Sequence, residues 1–507
     1  MKKFKMLSCI AVLCVFAFGY SWAIITFEAA GIIAFEAAEI KETGSNKTAL
    51  KLYKKINEKK GTENIFFSPY SIRTCFGMLY EGAQGNTAKE LENIFSFERD
   101  EKKRLFSVQN ELKNYNSMND GYGIQVANSF WANQDRVIKP AYKSILKDYY
   151  FAQLETMNVK NSQESASRIN AWVNDKTKGR IPSIIDSSDI VYNPPIEETL
   201  AVLVNAIYFK AKWFRPFESE NTKKRDFYIS KNGKIEVDMM YIKDERHFGY
   251  LENDKVQVLK MRYQNVENMP SMSMIVVLPK EDNIYDAENY IYSNTIADIQ
   301  KSFNNPEVIV YFPKFELSWK MEMLKTIENM GLNNTNPDYS KICDWELEIS
   351  KVIHKAFIKI DEKETEAAAA TAVVMGFKSA SLKPPKPQPK IFKADHSFMY
   401  LIVDENANQI LFIGKMLNPD DKAKIQYISN EEREKIDEGK RKAYEKRNKI
   451  DEEKRKAYEK RKKIDEEKRN KIYNEQEVVV CSHCGYINTI ASGKKLRLCV
   501  NCNKPIK

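Results

Sequence analysis

At 507 residues, with 43% apolar residues, 18 glycines and 17 prolines, the chain is too long for one ordinary domain and too apolar for a disordered or collagen-like polymer. A large buried core is expected. The formal charge of +10 is unevenly placed: residues 431–507 carry 23 Lys and Arg against 15 Asp and Glu, and the first five residues add three lysines, so the stretch between is close to neutral and argues against electrostatic nucleic-acid binding by the main body.

Lys2, Lys3 and Lys5 precede a charge-free run over residues 6–27, and Ser21-Trp22-Ala23 ends in a small residue where a signal peptidase can cut. This is the pattern of a secretory signal over 1–23, and so of a secreted protein. An uncleaved anchor is the alternative, because 22 uncharged residues can also span a bilayer. Cys9 and Cys14 lie inside this segment. A leader follows over 24–45, in which Phe27-Glu28-Ala29-Ala30 recurs as Phe35-Glu36-Ala37-Ala38. Asn46-Lys47-Thr48 and Asn333-Asn334-Thr335 are glycosylation sequons. Cys75 and Cys343 stand alone and read as small buried hydrophobes, which excludes a disulfide-rich scaffold.

Over 46–420 helical patterns alternate with strand-like runs at 202–209, 273–278, 308–312, 398–403 and 410–413. That mixture predicts one large α+β domain. Its most informative stretch opens with a buried strand, Ile353 to Ile360, and continues through Glu362-Lys363-Glu364-Thr365-Glu366-Ala367-Ala368-Ala369-Ala370-Thr371-Ala372-Val373. Four alanines ordinarily favour helix. At a period of two, however, Thr365, Ala367, Ala369, Thr371 and Val373 share one face, uncharged and no larger than valine, while Glu364 and Glu366 share the other. Such a segment can lie exposed and still enter the middle of a sheet without burying charge.

From 421 to 476 the composition changes to Lys, Arg and Glu, with a 14-residue repeat (435–448, 449–462, and a third copy from 463). Ile436, Ala443, Ile450, Ala457 and Ile464 share one heptad position. Three residues further on stand Gly439, Lys446, Glu453, Lys460 and Glu467, so the second apolar row of a stable coiled coil is missing and only weak self-association is expected. Acid-first pairs four apart, such as Glu438 with Lys442 and Glu452 with Lys456, favour a semi-rigid helical spacer; the alternative is a partly disordered polyampholyte. Residues 477–507 hold Cys481, Cys484, Cys499 and Cys502 as two C-x2-C pairs, the spacing of a zinc ribbon with a structural Zn2+, or else of two disulfides. Lys494, Lys495 and Arg497 read as a solvated surface, and the module as a docking element for a partner.

Taken together, Asn64 to Ile72 (NIFFSPYSI), Gly82 to Thr87 (GAQGNT), Asn205 to Trp213 (NAIYFKAKW) with Pro216-Phe217, Phe392 to His396 (FKADH), and Ile410 to Lys415 (ILFIGK) through Asn418-Pro419 resemble the serpins, the serine-protease-inhibitor family, over nearly the whole of 46–419. The resemblance implies the serpin fold of three β-sheets, eight to nine helices and an exposed reactive loop, in a protein that is a suicide inhibitor and not an enzyme. A target protease would attack the loop, and the cleaved hinge (Thr365, Glu366, Ala367, Ala368, Ala369, Ala370, Thr371) would insert into the large sheet. No Ser/His/Asp arrangement is legible around His247, His354 and His396. By family match, Ser68, Ser71, Asn205 and His354 would form the hydrogen-bonded cluster that controls sheet opening. The family's spacing of about seventeen residues, counted from Glu362, selects Lys378-Ser379 as the scissile bond. Independently, Lys383 and Lys386 are each followed by proline, whereas Lys378 is not. Lysine suits a trypsin-like serine protease; Phe377, one residue earlier, would suit a chymotrypsin-like one, and a cysteine protease is a further possible target. Three departures stand out: Glu364 where inhibitory relatives usually have glycine, Ser397 for a usual proline, and the long Pro-rich segment at 382–389. The alternative function is a non-inhibitory serpin, a carrier, chaperone or surface interaction protein. A monomer is expected.

Overall fold

The computed structural model describes residues 39–116, 123–194, 197–265, 270–333, 335–362, 388–474, 476–480, 482, 487–491 and 504. The chain divides into two compact units, residues 1–368 with 390–428 and residues 369–389 with 429–507.

In chain order the first unit begins with α1 (Gly44–Lys60), β1 (Ile65–Phe67), α2 (Pro69–Gly82), α3 (Gly85–Phe95), α4 (Glu101–Tyr115), β2 (Gly123–Asn133), α5 (Pro140–Tyr150), β3 (Gln153–Met157) and α6 (Ser162–Lys176). It continues with β4 (Tyr192–Asn193), β5 (Glu197–Glu198), β6 (Ala201–Lys210), β7 (Lys223–Ser230), β8 (Gly233–Asp244), β9 (Gly249–Glu252), β10 (Val256–Arg262) and β11 (Met272–Pro279). The helices α7 (Ile284–Ser293) and α8 (Ile296–Ser302) follow, then β12 (Val308–Pro313), β13 (Phe315–Glu322), α9 (Leu324–Glu328) and β14 (Lys351–Ile360). Last come β15 (Lys390–Lys393), β16 (Phe398–Asp404), β17 (Gln409–Met416) and β18 (Gln426–Tyr427). Each apolar run read as a strand lies inside one of these strands.

Local chemistry accounts for several boundaries. Ser68 caps α2 by accepting the Ser71 amide (3.1 Å), and Pro69 at the first helical position has no amide to leave unpaired. In α1 the buried Ala49, Leu52, Tyr53 and Ile56 fall at helical spacing and form its core face. Glycine at 414 is required by contact: a Cβ there would lie 2.0 Å from the Tyr400 ring.

Three large sheets carry the core. The first runs β1-β17-β16-β11-β10-β9, all antiparallel. Every residue of β11 and β16 is buried, so apart from Ser273 and Asp404 these strands are apolar throughout rather than alternating. Phe66, on the edge strand β1, stacks on Tyr400 (5.9 Å) and Phe412 (5.3 Å). The second sheet runs β15-β12-β8-β18, with β7 paired to β8. The third runs β13-β14-β6-β2-β3.

Two expected boundaries are corrected. The leader does not extend to 45: Lys41 donates its amide to Tyr292 O (3.0 Å), the Glu42 carboxylate accepts the Ile296 amide (2.5 Å), and α1 starts at Gly44, so 39–45 belongs to the body. Nor does the spacer begin at 421. Gln426 and Tyr427 pair antiparallel with Lys234 and Gly233, and the Ile428 amide donates to Asn232 O (2.9 Å). The reason is an open edge: β12 covers β8 only from Met239 to Asp244, and β18 covers its start.

The second unit contains one long helix, α10 (Asn430–Asn474), and an antiparallel pair, β19 (Gln476–Val480) with β20 (Ile487–Ala491). The 45-residue helix is about 68 Å long. Ion pairs join Glu438 to Lys442 (2.8 Å), Glu452 to Lys456 (2.6 Å) and Asp437 to Arg433 (3.2 Å).

Candidate functional site: the closed gap between β6 and β14

β6 and β14 lie side by side and parallel at the centre of the third sheet, in register from Val202↔Lys351 to Tyr208↔Phe357. Beyond Phe357 the pairing stops, although β14 continues to Ile360 and β6 to Lys210. A cleft opens there, lined among others by Phe209, Trp213, Tyr263 and Lys359. Trp213 stacks on Tyr263 (4.6 Å) and donates its Nε1–H to the Asp361 carbonyl (3.1 Å), which ties down the end of β14.

Glu362 follows. Its side chain is buried, accepts a hydrogen bond from Thr222 Oγ1 (2.6 Å) and pairs with Lys314 Nζ (2.8 Å). Burial alone would favour the neutral acid, but hydrogen bonds from Lys314 and Thr222 hold the carboxyl below its ordinary range. Glu364, the hinge Thr365 to Thr371, and Lys378 and Ser379 lie outside the described residues.

Beneath the gap the structure brings together Ser68, Ser71, Asn205 and His354, all fully buried. Sheet register explains part of this, since Asn205 is the direct partner of His354 on β14 and of Asn128 on β2. His354 Nδ1 lies 2.5 Å from Asn205 Oδ1, and the Ser68 amide donates to His354 Nε2 (3.2 Å). An amide N–H only donates and an Asn oxygen only accepts, so the imidazole is neutral with its proton assigned to Nδ1. Burial lowers its pKa to about 3, in keeping with that form. Asn205 Nδ2 donates to Ser71 Oγ (2.5 Å), Ser71 O (3.1 Å) and Asn128 Oδ1 (2.6 Å); Ser68 Oγ donates to Leu411 O (2.7 Å). The cluster thus joins β2, β6 and β14 to the start of α2 and to β17.

Sequence reading missed Asn128, Thr222 and Lys314, and it met Trp213 only as the end of a family motif, without a role. The alternation of β2 marks Asn128 as inward-facing only once β6 is its neighbour. Thr222 and Lys314 carry no local signal, since Thr222 lies 140 residues from Glu362 in the chain.

Cys481, Cys484, Cys499 and Cys502 lie outside the described residues, among which no metal-holding group of His, Cys, Asp or Glu is found. Cys75 and Cys343 are free and buried. Asn46 is unsuited to glycosylation in the folded chain, because its amide donates to Asn408 O (2.7 Å) and accepts from the Ile410 amide (2.9 Å).

Residues 43–419 match the model of the family described as Serpin (serine protease inhibitor). A serpin-like protein of Thermococcus kodakarensis is 33% identical over 381 residues, covering 74% of this chain and 85% of its own length. The leukocyte elastase inhibitor of Xenopus tropicalis is 32% identical over 383 residues, covering 73% of this chain and 96% of its own. The crystal structure of Serpin48 from the insect Tenebrio molitor superposes with a TM-score of 0.63 at 27% identity, covering 74% of this chain and 97% of its own. These matches correct the expectation of a protein that is simply not an enzyme: inhibition of serine proteases in this family is mechanism-based, so that the inhibitor takes part in the protease's own chemistry.

Proposed function

The chain belongs to the serpin family, and on that premise we propose that it is a suicide inhibitor of trypsin-like serine proteases, cleaved at Lys378-Ser379. The observation that carries this reading is the parallel β6–β14 pair. The hinge follows β14, so a strand formed by residues 365–374 and folded back beside it would run antiparallel to both β14 and β6. One parallel pair would become two antiparallel ones, which are slightly more stable per residue. The small, uncharged face of the hinge suits such a central position.

The buried cluster then acts as the catch. The Asn205–His354 bond crosses the gap, so parting β6 from β14 breaks it and leaves polar groups unsatisfied, at about 1–3 kcal/mol per group. Such a barrier keeps the sheet closed until acylation by the protease and loop cleavage release the hinge.

Incubation with trypsin tests the reading. An SDS-stable complex and a released fragment beginning at Ser379 are expected, and Lys378→Ala should abolish trapping. Clean cleavage without a complex would favour a non-inhibitory carrier, the reading that Glu364 supports because it replaces a hinge glycine with a charged side chain.

For the tail, the proposal is export through the signal at 1–23, a helical spacer, and a structural Zn2+ held by Cys481, Cys484, Cys499 and Cys502 in a module that docks a partner. Support for the zinc comes from β19 and β20, which flank the first C-x2-C pair as the two arms of a hairpin. One zinc per purified chain is expected; two disulfides and no metal would overturn it.

A further inference from the structure

Asn232-Gly233 is the sole Asn-Gly pair in the chain. It sits where β7 turns into β8, in the two-residue connection Lys231-Asn232, with Lys231 exposed, Asn232 half-buried and the glycine opening β8. The side-chain carbonyl carbon of an asparagine lies one ring closure away from the next backbone nitrogen, and a side chain on the next residue shields that nitrogen. Glycine has none. Lys231 and Lys234 flank the bond, the second paired with Asp226 on β7 (3.0 Å), and positive charge nearby favours the ionised amide nitrogen, which is the nucleophile.

The same turn carries the carboxy-terminal clip. Tyr427 pairs with Gly233 and Gln426 with Lys234, and just after them Ile428 donates its amide to the Asn232 carbonyl (2.9 Å). Ile425 lies over the glycine, since a Cβ at 233 would come 3.6 Å from its Cγ2. Ile428 is buried and is the last residue of the body; the tail begins at Ser429. Every described strand contact of β18 is thus made to residues 232–234, and a change in the path of the main chain there disturbs the register of all of them together.

We propose that Asn232-Gly233 is a self-modifying site that unlatches β18 by forming isoaspartate. The Gly233 nitrogen attacks Cγ of Asn232; the N–Cγ bond forms, the Cγ–Nδ2 bond breaks, and ammonia leaves with the proton of the Gly233 amide. Water then opens the succinimide. Attack at Cγ gives aspartate with the backbone unchanged. Attack at the α-carbonyl carbon gives isoaspartate, in which the main chain runs through Cβ and Cγ and the former carbonyl is a free carboxylate. Nothing is oxidised or reduced, and water is the only co-reactant. The lengthened backbone moves Gly233 and Lys234 out of register with Tyr427 and Gln426, so the anchor of the tail retreats from Ile428 toward Asn418, whose carbonyl accepts from Asn64 (2.6 Å). Pairing of β7 with β8 restrains the turn, so the attack waits on local opening, which the break in register between Tyr228 and Ser230 eases.

Incubation of the full-length protein at mildly alkaline pH tests this. Isoaspartate, detected by enzymatic methylation of its carboxylate and located by peptide mass spectrometry, should form at 232 before any other asparagine converts. Its rate should rise about tenfold per pH unit, because the ionised fraction of an amide nitrogen grows by that factor. In the isoaspartate fraction hydrogen exchange at the Ile428 amide should quicken about tenfold or more, whereas the aspartate fraction of the same sample should exchange as the unmodified protein does. Asn232→Gln keeps the main-chain acceptor but would have to close a six-membered ring, so modification and loosening should both vanish. Conversion of another asparagine while Asn232 stays intact, unchanged Ile428 exchange in the isoaspartate fraction, or equal loosening of Asn232→Gln would each overturn the proposal.

Discussion

The third sheet and α10 hold themselves together in opposite ways. Around β6 and β14 nearly every side chain is buried, and the few polar ones satisfy each other at close range. Along α10 most of the described side chains are exposed, and the described stabilising contacts are ion pairs such as those at Lys442 and Lys456, whose side chains are 70% and 72% exposed. Water is excluded from one and bathes the other. Perturbations of packing and protonation should therefore register in the sheet, and perturbations of ionic strength in the helix.

The largest effect should come from the packed region. Phe66→Ala, which removes the ring stacked on Tyr400 and Phe412, should lower unfolding free energy by about 3–5 kcal/mol in urea titrations followed by tryptophan fluorescence. A loss under 1 kcal/mol would mean that the core there is loosely packed.

Acid comes second. His354 has a folded pKa of about 3, below its unfolded value near 6.5, so the unfolded chain binds the extra proton between those limits. Its contribution is complete above pH 6.5 and is lost as the pH falls toward 3. Between pH 6.5 and 5 the wild type should lose about 2 kcal/mol more than His354→Gln. Parallel pH profiles for the two proteins would contradict the neutral buried imidazole.

Third, Glu362→Gln keeps the acceptor for Thr222 but loses the charge opposite Lys314, and about 1 kcal/mol of stability is expected to go with it. The loss should shrink in a Lys314→Met background if the two act as a pair. Smallest is the response of α10 to salt. Raising NaCl to about 1 M should weaken ion pairs worth about 0.2–0.5 kcal/mol each and reduce the helical signal at 222 nm, with no shift in the fluorescence-monitored transition.

Much of this was legible in the chain itself. The apolar runs marked β6, β11, β12, β14, β16 and β17 because strands in the middle of the core are mostly apolar, with isolated polar residues such as Asn205 and His354 inside them. The acid-first pairs marked α10 because they act within one turn. The family motifs led to Ser68, Ser71, Asn205 and His354. Three features were not legible: the clip at 426–428, the anchoring of Glu362 by Thr222 and Lys314, and the part played by Asn128. Each joins residues far apart in sequence, and none leaves a local pattern.

What the sequence alone determined, then, is whatever depends on short-range periodicity: which apolar runs are strands, that the hinge has one small and uncharged face, and that the charged repeat carries acid–base pairs at helical spacing but lacks a second apolar row. What only the tertiary structure decided is adjacency, namely that β6 and β14 run parallel and touch, with Asn205 opposite His354, and that β8 leaves an edge for β18 to close. A strand's period states which side is buried but not which neighbour buries it; that choice is made by the packing of the whole sheet.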